Sequence, residues 1–402
     1  MEYQHGGDIY SQEVELDFSA NLNPLGLPQA VRRAAADSLA DSAAYPDSRS
    51  RKLVKALAAY HGVKEEWVIC GNGAADLIFG LALAVKPDRA LVTAPAFSEY
   101  EQALAAVDCR VSYLDLLEQN GFGLNRERLL EKLAEGPRLV FLCNPNNPTG
   151  VPIPWEDVEW AAGACREIGA LLAVDECFCD FLDDPGSCSV IPFLGKYPNL
   201  FVLKAFTKLY AMAGLRLGYG LCACGELMEK LERVRQPWSV SNVAQAAGLA
   251  ALGETEYVRE STRAIAAERR WLTDELTRLG LVVYGSRANY IFFRDPAGAD
   301  TPAASVNPTA AEAPAVAQAA DTPAPAASPA GAAPPSAVSP FPKGRLYHAL
   351  LQQRILIRSC ANYRGLDNTY YRVCVRLRGD NEILIRELER ILKREHHLER
   401  QE

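Results

Sequence analysis

Two basic residues eight positions apart, Lys208 and Arg216, have the types and the spacing best suited to chemistry in this 402-residue chain. Lys208 follows the apolar run 200–203, which predicts a buried strand with a polar loop after it. An amine in such a place is costly unless something uses it, and a desolvated amine can form a Schiff base with a carbonyl compound. A lone lysine more often extends from a loop into solvent, so the interpretation depends on the rest of the chain.

Polar side chains follow three of the predicted strands and indicate where a ligand would bind. From residue 67 to residue 221, short apolar runs alternate with helical segments, a pattern that predicts a mostly parallel sheet covered by helices. Asn147, Asp175 and Lys208 come just after three of these strands. Because ligands bind beyond the carboxyl ends of parallel strands, we expect the three side chains to share one site.

A glycine turn near residue 71 predicts a cradle for a phosphate group. Gly71 and Gly73 stand between a short apolar run and a helix that is expected to begin near Ala74. Glycines let the backbone approach a ligand closely, and a helix N-terminus supplies free N–H groups and the positive end of its dipole. A tight turn without a ligand has the same sequence, so this motif is weak by itself.

The composition excludes several classes of protein. A net charge of −8 and an isoelectric point of about 5.4 provide no basic surface for nucleic acid. The first residues lack the apolar core of a signal peptide, and no run of about 18 apolar residues occurs, so we expect no membrane span. Eleven scattered cysteines are typical of reduced thiols in a cytoplasmic protein. We predict no metal site, since the two C-x-C pairs lack further ligands nearby.

The chain is expected to form a large and a small α/β domain. Residues 1–40 are interpreted as an N-terminal arm and a first helix that pack with the small domain, residues 41–255 as the large domain, and residues 256–402 as the small domain. The segment 296–342 is nearly all Ala, Pro, Ser, Thr and Gly. It contains too little apolar surface to offset its ordering entropy, so we interpret it as a disordered insertion.

The order of the motifs carries a resemblance to a known family. A glycine turn, an aromatic residue, N-P-x-N-P-T-G, a buried D-E pair and T-K with its arginine follow one another along the chain. In this the chain resembles the fold-type-I, pyridoxal 5'-phosphate-dependent aminotransferase family. Within that family it is similar to the L-threonine-O-3-phosphate decarboxylases, which are related to the histidinol-phosphate aminotransferases. The segments that carry the closer resemblance are HGGDI, LDFSANLNPLG, YPDS, CNPNNPTG, TKLYAMAGLRLGY, RQPWSVSNVAQAAG, SRANYIFF and ILIRSCANYRGLDNTYYRVCVR.

The resemblance implies roles at a cofactor site. Lys208 resembles the lysine that binds pyridoxal phosphate covalently, and Asp175 resembles the carboxylate that keeps the pyridine nitrogen protonated. Asn147 would hydrogen-bond the ring hydroxyl, and Phe97 would stack on the ring. Five residues would hold the cofactor phosphate: Gly73, Ala74, Thr207, Arg216 and Tyr45. The last of them would come from a neighbouring subunit, which implies a homodimer.

The resemblance also implies a pocket for a small phosphorylated amino acid. Arg358 and Arg372 are candidates for binding its phosphate and its carboxylate, and the anion that each one binds stays open. The remaining predicted substrate residues are His5, Gly6 and Asn23 on the arm, together with Asn147.

Two positions depart from the family pattern. Ala205 stands where relatives often have a serine or threonine that binds the cofactor phosphate. Phe178 stands where aminotransferases of the histidinol-phosphate type usually have a tyrosine, and the decarboxylase relatives resemble this sequence there. The second departure favours decarboxylation.

The implied reaction is the decarboxylation of O-phospho-L-threonine to (R)-1-amino-2-propanol O-2-phosphate and CO2, in cobalamin biosynthesis. A histidinol-phosphate-type aminotransferase stays open as an alternative. So does a decarboxylase of O-phospho-L-serine, since one methyl group changes binding by only about 1–3 kcal/mol. A regulator that senses the cofactor would need a DNA-binding domain, and the arm has no helix-turn-helix pattern.

Overall fold

The computed structural model describes residues 5–298 and 342–398, and its strands form three sheets. Most of the predicted insertion, residues 299–341, lies outside the described residues. The strands are β1 (Leu16–Asp17), β2 (Val68–Gly71), β3 (Arg89–Ala94), β4 (Arg110–Asp115), β5 (Leu139–Cys143), β6 (Leu171–Asp175), β7 (Leu200–Ala205), β8 (Gly218–Leu221), β9 (Val282–Val283), β10 (Tyr290–Arg294), β11 (Ile355–Leu356), β12 (Arg358–Ser359) and β13 (Tyr370–Cys374).

The largest sheet has seven strands in the order β2-β8-β7-β6-β5-β3-β4. Strands β3 to β7 are parallel to one another, whereas β8 is antiparallel to both of its neighbours. All five residues of β5 are buried, because helices cover both faces of the sheet. The predicted α/β fold with a mostly parallel seven-stranded sheet is confirmed.

The helices are α1 (Gln29–Asp37), α2 (Arg51–His61), α3 (Ala74–Val85), α4 (Glu99–Ala105), α5 (Arg126–Leu133), α6 (Trp155–Glu167), α7 (Phe206–Leu209), α8 (Gly225–Val234), α9 (Asn242–Ala251), α10 (Thr255–Arg278), α11 (Arg345–Leu351) and α12 (Arg378–Leu398). Helices α3, α4 and α8 pack on one face of the seven-stranded sheet, and α2, α6 and α9 pack on the other. Among the described residues, none of these helices combines the length and the apolar composition of a membrane span.

The C-terminal part of the chain forms an antiparallel sheet in the order β12-β13-β10-β9. Arg358 and Arg372 are direct cross-strand partners in it, so their side chains leave the sheet on the same face. The N-terminal arm joins this part of the molecule, because Leu16 of β1 pairs in parallel with Ile355 of β11. The two arginines and the arm are thereby brought to one region.

Several elements differ from the sequence-based expectations. Strand β7 continues to Ala205, so Lys208 lies in the one-turn helix α7 and not in a loop. The arm contains the short strand β1, whereas its glycines and prolines predict irregular structure. The segment 355–358, which the sequence pattern predicts as one strand, is divided between β11 and β12, which belong to different sheets.

Candidate active site

A cavity of about 380 Å³ lies where the arm, the antiparallel sheet and the carboxyl ends of β5, β6 and β7 meet. It brings together most of the side chains that the sequence singles out. The predicted site residues that line it are His5, Gly6, Ala74, Phe97, Asn147, Asp175, Thr207, Lys208, Arg216, Arg358 and Arg372.

Lys208 extends into this cavity from α7, directly after β7. Burial, reinforced by the charges of Arg372 and Arg216, lowers the pKa of its amine from 10.5 to about 8. Among the described residues, no carboxylate lies within ion-pair distance of this amine. Most of the amine is still protonated at pH 7, but its neutral form is far more accessible than in an ordinary lysine, and a neutral amine can act as a nucleophile or as a base.

Asp175, the last residue of β6, is held at both of its carboxylate oxygens. The Tyr100 hydroxyl donates to Oδ2 at 2.7 Å, and the Cys177 backbone N–H donates to Oδ1 at 3.0 Å. Tyr100 is fully buried and stacks on Phe141 with the ring centroids 4.8 Å apart. The sequence analysis missed Tyr100, although it follows the predicted ring-stacking Phe97 by only three residues. Its position fixes the carboxylate for a cationic ring nitrogen.

The glycine turn forms the expected cradle at the start of α3. Gly73 has a φ of +82°, and a Cβ there would lie 2.5 Å from Nη2 of Arg216. A Cβ at Gly218 would lie 2.6 Å from the backbone nitrogen of Ala74. The cradle therefore requires glycine at both positions. The free N–H groups of α3 and the guanidinium of Arg216 fit a phosphate group there.

Phe178 and Ala205, the two departures from the family pattern, both line the cavity. Nζ of Lys208 lies 5.8 Å from the centroid of the Phe178 ring, and that ring packs edge-on against Tyr290. Neither Phe178 nor Ala205 carries a side-chain hydroxyl. These two side chains therefore add no hydroxyl group to the surroundings of Lys208.

Arg372 is buried and is held by two neighbours. It donates to Oδ1 of Asn147, and its Nη2 donates to the backbone carbonyl of Ser19 at 2.8 Å. Its Nε has no hydrogen-bond partner among the residues that the structure describes. A buried guanidinium with a donor left over suits an incoming anion.

Arg358 stands beside Arg372 and is more exposed. Its guanidinium donates to the carbonyl of Ser359 at 2.6 Å and to Oδ1 of Asn362 at 2.8 Å. It also lies over the ring of Tyr363, 5.0 Å from the centroid. The cavity thus has the guanidinium groups of two cross-strand partners on one wall.

Asn23 requires a correction. Its side-chain amide donates to the carbonyl of Leu209 at 2.7 Å, and its backbone N–H donates to the carbonyl of Lys208. It supports α7 from behind and is not among the residues that line the cavity. Asn21 lines the cavity instead, and within the described part of the chain its buried Oδ1 has no hydrogen-bond partner.

Tyr45 is 81% exposed and stacks on Trp238, with the ring centroids 4.7 Å apart. It does not line the cavity of its own chain. Its predicted role, in the site of a neighbouring subunit, stays a prediction.

Comparison with known proteins establishes the family. The model of the family described as aminotransferase class I and II matches residues 13–388. The chain belongs to this family. The membership confirms the predicted family, an enzyme family, and its cofactor pyridoxal 5'-phosphate. Lys208 with its lowered pKa, the fixed Asp175 and the Gly73 cradle fit that cofactor.

The similarity to individual relatives covers nearly the whole chain. Threonine-phosphate decarboxylase of Salmonella typhimurium is 35% identical over 398 residues, which cover 96% of each chain. Histidinol-phosphate aminotransferase 1 of Cupriavidus pinatubonensis is 32% identical over 382 residues, covering 93% of this chain and 88% of the relative. The solved structure of the histidinol-phosphate aminotransferase from Clostridium acetobutylicum matches with a TM-score of 0.78 and 27% identity, covering 94% of this chain and 99% of that one.

Proposed function

We propose that the protein decarboxylates O-phospho-L-threonine to (R)-1-amino-2-propanol O-2-phosphate and CO2, with pyridoxal phosphate as cofactor. The observation that carries the proposal is the pair of guanidinium groups, Arg358 and Arg372, on one wall of the cavity. Two such groups suit a substrate that has a phosphate and a carboxylate. The similarity to the Salmonella threonine-phosphate decarboxylase over 96% of both chains supports the same reaction.

The two anions are assigned from the surroundings of the arginines. Arg372 is buried, has a donor left over and contacts Asn147, so it is assigned the carboxylate of the substrate. Arg358 is more exposed and lines the cavity with His5 and Gly6 of the arm, so these three are assigned the phosphate. With both ends fixed, the substrate has one orientation at Lys208.

The chemistry needs electron withdrawal from the substrate Cα, which pyridoxal phosphate supplies when it is bound. Asp175 contributes by holding a proton at the ring nitrogen, since a fixed carboxylate favours the cationic form. Lys208, with its lowered pKa, is able to hold a proton and return it to Cα after CO2 has left. Phe178 presents no hydroxyl to this step.

Transamination of histidinol phosphate is the second candidate. The Cupriavidus histidinol-phosphate aminotransferase, at 32% identity over 93% of this chain, is the observation that favours it. Histidinol phosphate has a phosphate but no carboxylate, so it would engage only one of the two arginines at a time. Decarboxylation of O-phospho-L-serine differs only by a methyl group and remains an outcome of the same assay.

The test is product identification with the purified protein loaded with pyridoxal phosphate. O-phospho-L-threonine, O-phospho-L-serine, and histidinol phosphate with 2-oxoglutarate are supplied in parallel, and CO2 and organic products are measured. We expect CO2 and aminopropanol phosphate in equal amounts from the first substrate. A keto product formed from histidinol phosphate, with no CO2 from either phosphoamino acid, would reject the proposal in favour of transamination.

Replacing each arginine by alanine tests the assignment of the anions. Arg358→Ala should raise the KM for phosphothreonine, and inorganic phosphate should inhibit this variant more weakly than the wild type. Arg372→Ala should weaken inhibition by a simple carboxylate instead. The matched control is Arg364→Ala, in the loop after β12, whose guanidinium lies over the ring of Tyr113. This control should retain the wild-type KM.

A homodimer is part of the proposal, with Tyr45 reaching the cofactor phosphate of the partner subunit. The exposed pair of Tyr45 and Trp238 supports a contact surface there. Mixing a Lys208→Ala protein with a Tyr45→Ala protein should restore activity above that of either variant, because one site of the mixed dimer is intact. A monomer in light scattering, or no restored activity, would contradict it.

A further inference from the structure

Glu99 is a carboxylate in the cavity for which the proposed reaction gives no role. It is the first residue of α4, and it lines the cavity together with Lys208 and Arg358. Only 14% of its side chain is exposed. Burial raises the pKa of its carboxyl group, and the nearby charge of His5 opposes that shift. A carboxylate is unexpected in a pocket that binds an anionic substrate.

Glu99 lies against the N-terminal arm. Its Oε1 is 3.4 Å from Nε2 of His5, and the hydroxyl of Ser98 donates to Oε2 at 3.2 Å. The other charged groups around the pair are Asp8 and Lys343 on the outer side of His5, and Asp175, Lys208, Arg216, Arg358 and Arg372 in the cavity. Most of these groups are cationic, so the Glu99 carboxylate lies in predominantly positive surroundings.

The first residues of the arm are also held by Ser19, a later residue of the same arm. The N–H of Gly7 donates to Oγ of Ser19 at 2.7 Å. A Cβ at Gly6 would lie 2.3 Å from the carbonyl oxygen of Ser19, so the arm lies directly against this residue. The same carbonyl accepts a hydrogen bond from Arg372. The arm thus extends from the arginine wall, through Ser19, to Glu99 beside the large sheet.

We propose that Glu99 positions the substrate-binding arm. Its carboxylate holds the His5 ring in the cavity wall, so that His5 and the backbone of Gly6 meet the phosphate of the substrate. This inference rests on the proposed function, because it takes phosphate as the group that His5 binds. Glu99 acts through His5.

The first test is the isosteric substitution Glu99→Gln, which removes the charge and keeps the shape. We expect the KM for O-phospho-L-threonine to rise about tenfold and kcat to stay within about twofold, because the lost interaction is made equally in the bound substrate and in the transition state. Glu101→Gln, on the exposed side of the same helix, is the matched control and should leave both constants unchanged. A lower kcat with an unchanged KM would assign Glu99 to proton transfer and overturn the inference.

A double-mutant cycle tests whether Glu99 acts through His5. Once His5→Gln is present, adding Glu99→Gln should change KM by less than about twofold, since the partner is already gone. If the increases in KM caused by His5→Gln and Glu99→Gln instead multiply in the double variant, the inference is overturned. Glu99→Asp provides a second variant that keeps the charge, and its KM should lie between those of the wild type and Glu99→Gln.

A measurement that needs no substrate separates this inference from the proposed reaction. Hydrogen–deuterium exchange of residues 5–17 should be faster in Glu99→Gln than in the wild type and in Glu101→Gln. Equal exchange rates would overturn the positioning role. If the wild type releases no CO2 from phosphothreonine, the proposed function fails, and the exchange rates still decide whether Glu99 anchors the arm.

Discussion

Two lysines four residues apart, Lys204 and Lys208, occupy regions of opposite electrostatic character. Lys204 is 4% exposed, and its amine lies 2.8 Å from Asp180 and 3.9 Å from Glu176. Burial alone would lower the pKa of Lys204, but the charges of its neighbours outweigh burial and hold that pKa well above 10.5. Lys208, one turn further along, faces Arg372 and Arg216 and has a pKa of about 8.

The comparison shows that burial by itself does not make a lysine reactive. Both amines are withdrawn from water, and the sign of the neighbouring charges decides the outcome. Lys204 is a permanent cation that neutralises the carboxylates of Asp180 and Glu176. Lys208 is an amine that loses its proton readily, which suits covalent chemistry.

The largest expected effect is on catalysis at Lys208. Lys208→Arg keeps a cation at this position, but a guanidinium is not deprotonated in proteins and cannot act as a nucleophile or a base. Turnover, measured as CO2 release, should fall by at least about 10⁴-fold. Lys55→Arg, on the exposed side of α2, should retain full activity. If Lys208→Arg retained turnover near the wild-type rate, the contrast drawn between Lys204 and Lys208 would be wrong.

Replacing Lys204 should affect stability before catalysis. Lys204→Met leaves the carboxylate of Asp180 and the fully buried Glu176 without their cation, a change that costs about 3–5 kcal/mol in comparable buried pairs. Denaturant unfolding measures this loss. Lys196→Met breaks an exposed pair with Glu159 and should cost less than about 1 kcal/mol. Equal stability of the two variants would show that Lys204 is not a structural cation.

Replacing Lys208 should change the free energy of unfolding of the cofactor-free protein in the opposite direction. At pH 7 the folded state holds this amine protonated although its folded pKa, about 8, lies below the 10.5 of an ordinary lysine. Lys208→Met removes that penalty and should raise the free energy of unfolding by about 3 kcal/mol. Between pH 8 and 10.5 the unfolded state binds more protons, so the wild type gains stability as pH rises and the difference should shrink. A difference in the free energy of unfolding between Lys208→Met and the wild type that stays constant with pH would contradict this expectation.

The smallest expected effect concerns Asp175. Tyr100→Phe removes the hydroxyl that donates to Oδ2 and leaves the ring stacked on Phe141. A hydrogen bond to a charged group contributes about 1.5–3 kcal/mol, so kcat/KM should fall about tenfold or more. Tyr60→Phe, on the half-exposed end of α2, is the control and should have no effect. An unchanged kcat/KM in Tyr100→Phe would show that the backbone N–H of Cys177 holds Asp175 sufficiently.

The parts of the site that were predictable from the sequence are those encoded in short motifs. Asp175 ends β6, the Gly73 turn follows β2, and Lys208 comes three residues after β7, so the common direction of these strands brings them to one edge of the sheet. Lys204 was not identified because the apolar run ends at Leu203 and suggests that the strand ends there. Its partner Asp180 lies 24 residues earlier, and sequence patterns do not show such a pairing.

Side-chain direction was the other source of error. Asn23 belongs to a segment of the arm that does approach the cavity, but its side chain turns toward Leu209. Asn21, two residues earlier, takes the place at the cavity. In irregular backbone the side chains have no fixed period, so a motif locates the segment and not the residue that contacts the ligand.

The pairing of β1 with β11 determines when the site can be completed. Residues 16 and 17 leave the ribosome long before their strand partners at residues 355 and 356 are made. Contacts between such distant segments form late in folding, because the intervening chain must first be ordered. Lys208 precedes these strand partners in the chain, so the part of the site around Lys208 can form before β1 and β11 pair. We therefore expect the arm to be the last part of the site to take its place.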